Sequence, residues 1–257
     1  KATVMVVDKT GTITKGKPEV TSVTSFSDLD ETEILSILST LESKSEHPIA
    51  HAIQTYAKEK DIQTKSISDF SIIEGVGLRG SIDGVTFTAG NTRVLKGMSE
   101  DFDVATVEQE ASKGNTPVIL RNETQVIGVV YVADKIKEQA IQSVEKLHLL
   151  GKKVMMLTGD MQGTGEYIAQ KVGIDTVIAQ VMPEDKLRVI KDLQTQGEIV
   201  AMAGDGVNDA PALAQANVGI AMGSGTDVAI ESAGMTLLAG DIGKLPEAVK
   251  LSRITMQ

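Results

Sequence analysis

Cysteine is absent from all 257 residues, and with it go disulfides, thiolate zinc sites and any cysteine nucleophile. A reducing cytosol is the easier compartment for such a chain. No apolar stretch approaches the ~18 residues of a membrane span. The longest, 126–133, is interrupted by Gly128 and rich in β-branched residues, so it reads as a strand. No leader with a small-residue cleavage pattern precedes the first apolar strand. Positive charge is in deficit, with 25 Lys and Arg against 35 Asp and Glu. The resulting formal charge of −10 argues against nucleic acid or an anionic membrane surface as a partner. Internal repeats and low-complexity segments are missing too. What remains, 41% hydrophobic and 23% charged, is an ordinary globular chain able to bury one large core or two modest ones.

Residues 3–7 form a short continuous apolar run, as expected of a parallel strand buried on both faces, and it ends at Asp8. The pattern of a strand followed by a polar loop recurs at 153–157, before Thr158-Gly159-Asp160, and at 199–202, before Gly204-Asp205-Gly206. Helical periodicity covers 137–150, 163–172, 184–196 and 210–216 between them. Such alternation predicts a doubly wound parallel α/β sheet, with ligands gathering at the carboxyl ends of its strands. The middle of the chain differs. Two amphipathic helices, 31–43 and 48–60, precede short strands at 70–74, 78–82, 85–89, 118–121 and 125–131. Asp83-Gly84 reads as a tight hairpin turn. This is an α+β segment with an antiparallel sheet, inserted into the α/β domain. The expected division is 1–18 with 134–257 for the first domain and 19–133 for the second.

The three polar loops carry the chemistry. A carboxylate at Asp8, on a Gly/Thr turn at a strand end, can attack phosphorus, although a lone Asp in this place usually caps a turn. Thr10, Gly11 and Thr12 offer hydroxyl and backbone groups to phosphate or a metal. Asp205 beside Asp8 would make an acidic pair that needs a cation, and Mg²⁺ with oxygen ligands suits it. Thr158 and the amides around Gly159 can reach phosphoryl oxygens. Lys186, at the opening of a helix, can neutralise phosphoryl charge, though taken singly it is an ordinary surface lysine.

The segments 8–12 (DKTGT), 158–160 (TGD), 182–186 (MPEDK) and 204–213 (GDGVNDAPAL) together resemble the haloacid-dehalogenase superfamily, specifically its P-type ATPase branch. The resemblance implies that Asp8 is phosphorylated by ATP, that Asp8, Thr10 and Asp205 hold Mg²⁺, and that Thr158 and Lys186 contact the phosphoryl group. Lys9, Thr12, Gly159, Asp160, Asn208 and Asp209 would support them. A soluble phosphatase of the same superfamily is the alternative. Such enzymes usually place a second Asp two residues after the nucleophile for proton transfer; here that position is Thr10, which cannot do this at neutral pH. A regulatory nucleotide sensor without turnover would not need the Asp8/Asp205 pair.

In the inserted segment, 75–80 matches GxGxxG, but a hairpin rather than a helix follows, which excludes the dinucleotide fingerprint. Its glycines let backbone approach a nucleotide or form a bulge between strands. His47 before Pro48 can stack on adenine or simply cap a helix, and His51 reads as surface. Ser45-Glu46-His47-Pro48, Gly75 with Gly77, and Gly90-Asn91 resemble the nucleotide-binding domain of heavy-metal P-type ATPases. By that resemblance Glu42, His47, Gly75, Gly77, Gly90 and Asn91 contact ATP. Pumps of this class also have transmembrane and actuator domains, so the chain resembles the excised loop on the cytoplasmic face of a membrane protein. Segments 8–20 and 231–257 resemble those of copper pumps, and that resemblance implies copper as the transported ion, with zinc or cadmium second.

Overall fold

The computed structural model describes residues 2–98, 102–205, 207–223, 234–237 and 240–255. In chain order the elements begin with β1 (Val4–Asp8) and β2 (Glu19–Ser25), then α1 (Glu31–Glu42) and α2 (Pro48–Glu59). The hairpin strands β3 (Ser68–Ile73), β4 (Gly77–Ile82) and β5 (Val85–Gly90) follow. Next come α3 (Ala105–Ala111), β6 (Thr116–Arg121), β7 (Val126–Ala133), α4 (Ala140–Leu149) and β8 (Lys153–Leu157). Then α5 (Gln162–Val172), β9 (Thr176–Ile178), α6 (Pro183–Thr195) and β10 (Val200–Gly204) lead to α7 (Ala210–Gln215). The last are β11 (Val218–Met222), β12 (Met235–Leu237) and α8 (Leu245–Thr255). Among the described residues, no helix is long and apolar enough to cross a membrane. The chain divides into two compact units, 1–16 with 134–257 and 17–133.

The first unit is a six-stranded parallel sheet in the order β12-β11-β10-β1-β8-β9. Alternation along β1 explains why every residue of it is apolar up to Asp8. Met5 and Val7 enter a core with residues of α4, α5 and α8, whereas Val4 and Val6 enter a second core with Ile190, Ala212 and Leu213. A strand covered on both faces has no side for polar residues. The expected strand at 3–7 is shifted by one, so that Asp8 is its last paired residue, opposite Leu157. Helix α4 starts later than the expected 137 because residues 134–137 pair with the loop after β1 instead. Strands β9, β11 and β12 and helix α8 escaped the sequence reading. They are short or follow weakly periodic segments. The 231–257 segment that pointed to copper lies partly outside the described residues.

The second unit is an antiparallel sheet in the order β2-β7-β6-β5-β4-β3. One face carries Ile82, Phe87, Ala89, Val118, Leu120, Ile127, Val130 and Val132, which pack on the apolar stripes of α1 and α2. Burying each large aliphatic side chain contributes roughly 1.5–3 kcal/mol. Helix α1 opens with a capping box: Asp30 accepts from Glu33 N–H at 2.9 Å, and Glu33 accepts from Asp30 N–H at 2.9 Å. Asp83 and Gly84 take φ +50° and +79°, the left-handed pair that a two-residue hairpin between β4 and β5 requires. The two compact units meet at Gly16/Lys17, two residues before the expected joint at Pro18/Glu19, and β2 starts at Glu19 within the antiparallel sheet.

Candidate active site

Parallel pairing sets the ends of three strands side by side. Asp8 is opposite Leu157 and Val7 is opposite Ala203, so the loops at 9–14, 158–161 and 205–209 leave the sheet from one edge. The 9–14 loop closes with Thr14 N–H donating to Lys9 O at 3.0 Å, and Gly11 within it takes φ +77°. A Cβ on Gly11 would lie 1.7 Å from Asp205 Oδ2, so only glycine lets the Asp205 carboxylate rest on this turn. Pro183 opens α6 at a first-turn position and Asp185 accepts from Met182 N–H at 3.1 Å. That start directs Lys186 inward.

Lys186 is the hub of the cluster. Its Nζ lies 2.9 Å from Asp8 Oδ1 and 2.6 Å from Asp209 Oδ1, and it is largely buried rather than a solvated surface lysine. Asp209 is fully buried, and its other oxygen accepts from Asp205 N–H at 3.1 Å, which shapes the 205–209 loop. A second pair braces the neighbouring loops: Lys9 Nζ sits 2.7 Å from Asp160 Oδ2, and both side chains are buried or nearly so. Thr158 Oγ1 accepts from Asp160 N–H at 3.0 Å, while Val181 N–H donates to Thr158 O at 3.0 Å. Asn208 is exposed at the rim, and so is Thr10. Gly206 lies outside the described residues. Gly159 leaves the loop uncrowded, with Val181 O at 3.5 Å from the position its Cβ would take.

The electrostatics are those of a site short of positive charge. Burial and the nearby Asp209 push the Asp8 carboxyl up to about 7, although Lys186 opposes the shift. Burial and Asp209 also push Asp205 up to about 6. On Lys186 burial acts to lower the pKa, but Asp8 and Asp209 outweigh it and hold the ammonium charged. Oxygen atoms of Asp8, Asp205 and Asp209 lie within 4.8 Å of one another. Since Asp209 is committed to Lys186 and the Asp205 amide, Asp8 and Asp205 are the oxygens available to a hard cation. The donor set, all oxygen and acidic, fits Mg²⁺. Thr12 Oγ1 is buried and has no hydrogen-bond partner among the described residues.

The inserted unit places its six candidate residues in two groups. Gly75, Gly77, Gly90 and Asn91 form one cluster. Asn91 Nδ2 donates to Gly75 O at 2.9 Å, Asn91 N–H donates to Val76 O at 3.0 Å, and Gly77 pairs with Gly90 across β4 and β5. A Cβ on Gly77 would meet Ala89 O at 1.9 Å, and one on Gly90 would meet Val76 O at 2.0 Å. Close backbone approach is therefore one reason for these glycines. Glu42 and His47 lie at the junction of α1 and α2. His47 is exposed and caps α2, its Nδ1 accepting from Ile49 N–H at 3.2 Å. Glu42 is buried, and burial alone pushes its carboxyl up to about 7. His51 is exposed, as a surface residue would be.

Two residues at the site escaped the sequence reading. Asp134 accepts from Thr14 Oγ1 at 2.6 Å and from Gly16 N–H at 3.0 Å. Lys137 Nζ donates to Gly11 O at 2.7 Å and to Gly240 O at 2.9 Å. Their only sequence signal is their place, just after the return from the insertion.

The family model for haloacid dehalogenase-like hydrolases matches residues 2–217. The solved catalytic domain of the CPx-ATPase CopB-B superposes with a TM-score of 0.79 and 30% identity, covering 97% of this chain and 89% of that one. The chain belongs to the haloacid dehalogenase-like hydrolases, as the catalytic domain of a heavy-metal P-type ATPase. Copper-transporting ATPase 2 of Rhizobium meliloti is 43% identical over 257 residues, 99% of this chain and 31% of its own length. A probable cadmium-transporting ATPase of Alkalihalophilus pseudofirmus is 44% identical over 259 residues, 97% of this chain and 36% of its own length. The chain thus spans about a third of the length of these curated P-type relatives.

Proposed function

We propose that this chain is the catalytic unit of a copper(I)-exporting pump, with Asp8 as the acceptor of the γ-phosphate of ATP. The observation that carries the reading is the Lys186 ammonium, 2.9 Å from the Asp8 carboxylate, in a site whose remaining carboxylates favour a cation. A carboxylate oxygen of Asp8 attacks the γ-phosphorus, and the bond to the β–γ bridging oxygen breaks as ADP leaves with its electron pair. Lys186 offsets charge on the transferring group, and Thr158 with the 158–160 loop supports its oxygens. Asp8, Asp205 and the Thr10 backbone would hold Mg²⁺, which would offset charge on the phosphoryl oxygens. Lys9 and Asp160 brace the nucleophile loop. Asp209 aims Lys186, and Thr12, Gly159 and Asn208 complete the loops.

The inserted unit binds the nucleotide through Glu42, His47, Gly75, Gly77, Gly90 and Asn91. Water later hydrolyses the aspartyl phosphate. Because Thr10 cannot shuttle a proton, the intermediate persists long enough to couple to movement in transmembrane and actuator domains of a longer protein at the cytoplasmic face of a membrane. The test is incubation with γ-labelled ATP and Mg²⁺. An acid-stable, hydroxylamine-labile label is expected on the wild type and none on Asp8→Asn, which retains nucleotide binding. A label that survives Asp8→Asn would overturn the reading.

A zinc or cadmium pump is the second reading, favoured by the cadmium-transporting relative at 44% identity. Stimulation of the full-length protein's ATPase by Cu⁺ but not Cd²⁺ or Zn²⁺ supports the first; the reverse supports the second.

A further inference from the structure

Lys137 lies outside every segment on which the catalytic assignment rests, yet it is tied into the nucleophile loop. Its Nζ donates to Gly11 O at 2.7 Å and to Gly240 O at 2.9 Å. Backbone bonds join the same segments. Lys137 N–H donates to Ile13 O at 2.9 Å, Lys15 N–H donates to Lys135 O at 2.9 Å, and Thr14 bridges Ile136 in antiparallel fashion. Asp134 adds its two bonds to Thr14 and Gly16. The return segment therefore forms a splint along the loop that begins at Asp8.

Gly11 is where this splint matters most. Glycine is the residue with the widest backbone freedom, and this one sits at φ +77° three residues after the nucleophile. One side of it is occupied by the Asp205 carboxylate, which leaves no room for a Cβ. Its carbonyl is taken by the Lys137 ammonium. Because the peptide group is planar and rigid, holding that oxygen holds the whole Gly11–Thr12 peptide. Burial pulls the Lys137 pKa below its ordinary value, and the carboxylates of Asp205, Asp134 and Asp241 act against that shift and favour its charge. Nothing in the backbone requires a long cationic side chain here, since the neighbouring main-chain bonds would form with any residue but proline.

We propose that Lys137 is a positioning residue for phosphoryl transfer, holding the Gly11 carbonyl so that the Asp8 loop stays seated against Asp205. The inference rests on Asp8 as the phosphoryl acceptor. Small misplacement of a reacting group is costly in rate, because the attacking oxygen must lie in line with the bond that breaks.

The experiment compares the full chain as wild type, Lys137→Met, Lys137→Arg and Asp8→Asn. It reads single-turnover phosphorylation at saturating Mg-ATP, nucleotide affinity and Tm. Lys137→Met keeps the length of the stem but cannot donate, and is expected to slow phosphorylation on the order of 10- to 100-fold. Its nucleotide affinity is expected to match the wild type. Lys137→Arg, which can donate to both carbonyls, is expected to recover most of the rate. Wild-type phosphorylation in Lys137→Met would overturn the proposal. So would an arginine variant as slow as the methionine variant at an unchanged Tm. If Lys137→Met does not fold, Lys137→Gln takes its place; an intermediate rate supports the proposal and a wild-type rate overturns it. A wild type no more phosphorylated than Asp8→Asn would instead sink the assignment of Asp8 itself.

Discussion

Asp8 in the parallel unit and Glu42 in the inserted unit are both buried carboxyl groups pushed up to about 7, but for different reasons. At Asp8 burial is joined by repulsion from Asp209 and Asp205 and opposed by Lys186. At Glu42 burial acts alone. The first group is one member of a charged cluster that a divalent cation would complete. The second is a buried acid whose shift follows from burial alone, with no neighbouring charge adding to it or opposing it. Equal shifts therefore do not imply equal chemistry. What distinguishes a reacting carboxylate is the set of charges around it.

The sharpest test of that difference is Lys186→Met. Removing the shared partner of Asp8 and Asp209 is expected to lower the phosphorylation rate by about 10²- to 10³-fold, as loss of an electrostatic donor at a reacting group does. Thermal stability of the inserted unit is expected to stay unchanged. A rate near wild type, measured in single turnover, would mean that Lys186 is only structural.

Gly90→Ala addresses the other unit. Its Cβ would press within 2.0 Å of Val76 O, and overpacking against backbone costs roughly 1–3 kcal/mol. A lowered melting transition of the isolated 17–133 unit is expected, with the Asp8 site intact in the full chain. If nucleotide affinity fell while stability held, Gly90 would be a ligand-approach glycine rather than a packing one.

Glu42 gives a smaller, pH-dependent effect. Its folded pKa of about 7 lies above the ordinary value of 4.5, so the protein holds more protons than its unfolded chain between those values. The associated stabilisation is full below 4.5 and is lost as pH rises through about 7. Glu42→Gln is expected to raise Tm by a few degrees at about pH 8 and to change it little near pH 4. A variant whose Tm differed from the wild type equally at both pH values would refute burial as the cause.

Smallest is Asp30→Ala, which removes the capping box of α1 at a cost of about 1 kcal/mol. Denaturant unfolding should register it, with phosphorylation unaffected.

The two units also differ in how far the sequence disclosed them. In the parallel unit, β1 and β10 announce themselves as unbroken apolar runs because both faces are covered, and each ends in a Gly/Asp loop to which the proposed chemistry is assigned. That Asp205 lies beside Asp8 was foreseeable from those loops, since parallel register aligns strand ends, whereas Lys186 came to the site only through the resemblance. Asp209 was undervalued, because its role as the acceptor for both Lys186 and the Asp205 amide depends on a turn that spacing alone does not describe. Lys137 and Asp134 were illegible for the same reason: their partners are backbone atoms and the Thr14 hydroxyl, more than a hundred positions away. In the inserted unit, β2 is mostly polar on its outward side and was missed. Helix α3 is too short for a periodic signal, and β3, expected at 70–74, spans Ser68–Ile73. The positions of His47 and Asn91 as caps, by contrast, follow from Pro48 and from the turn after β5.

The insertion at Gly16 and Asp134 has a consequence for how such a chain is assembled. In the antiparallel sheet β2 and β7 are neighbours, with Glu19 opposite Ala133, so the inserted unit begins and ends at one point. The host is matched to this, because Thr14 and Ile136 are already bridged on its side of the cut. A guest whose ends meet spans no distance in its host, and the loop-closure entropy of carrying it grows only slowly with its length. Such a junction behaves like a socket. By that entropy alone, lengthening the guest costs the strand that presents Asp8 little.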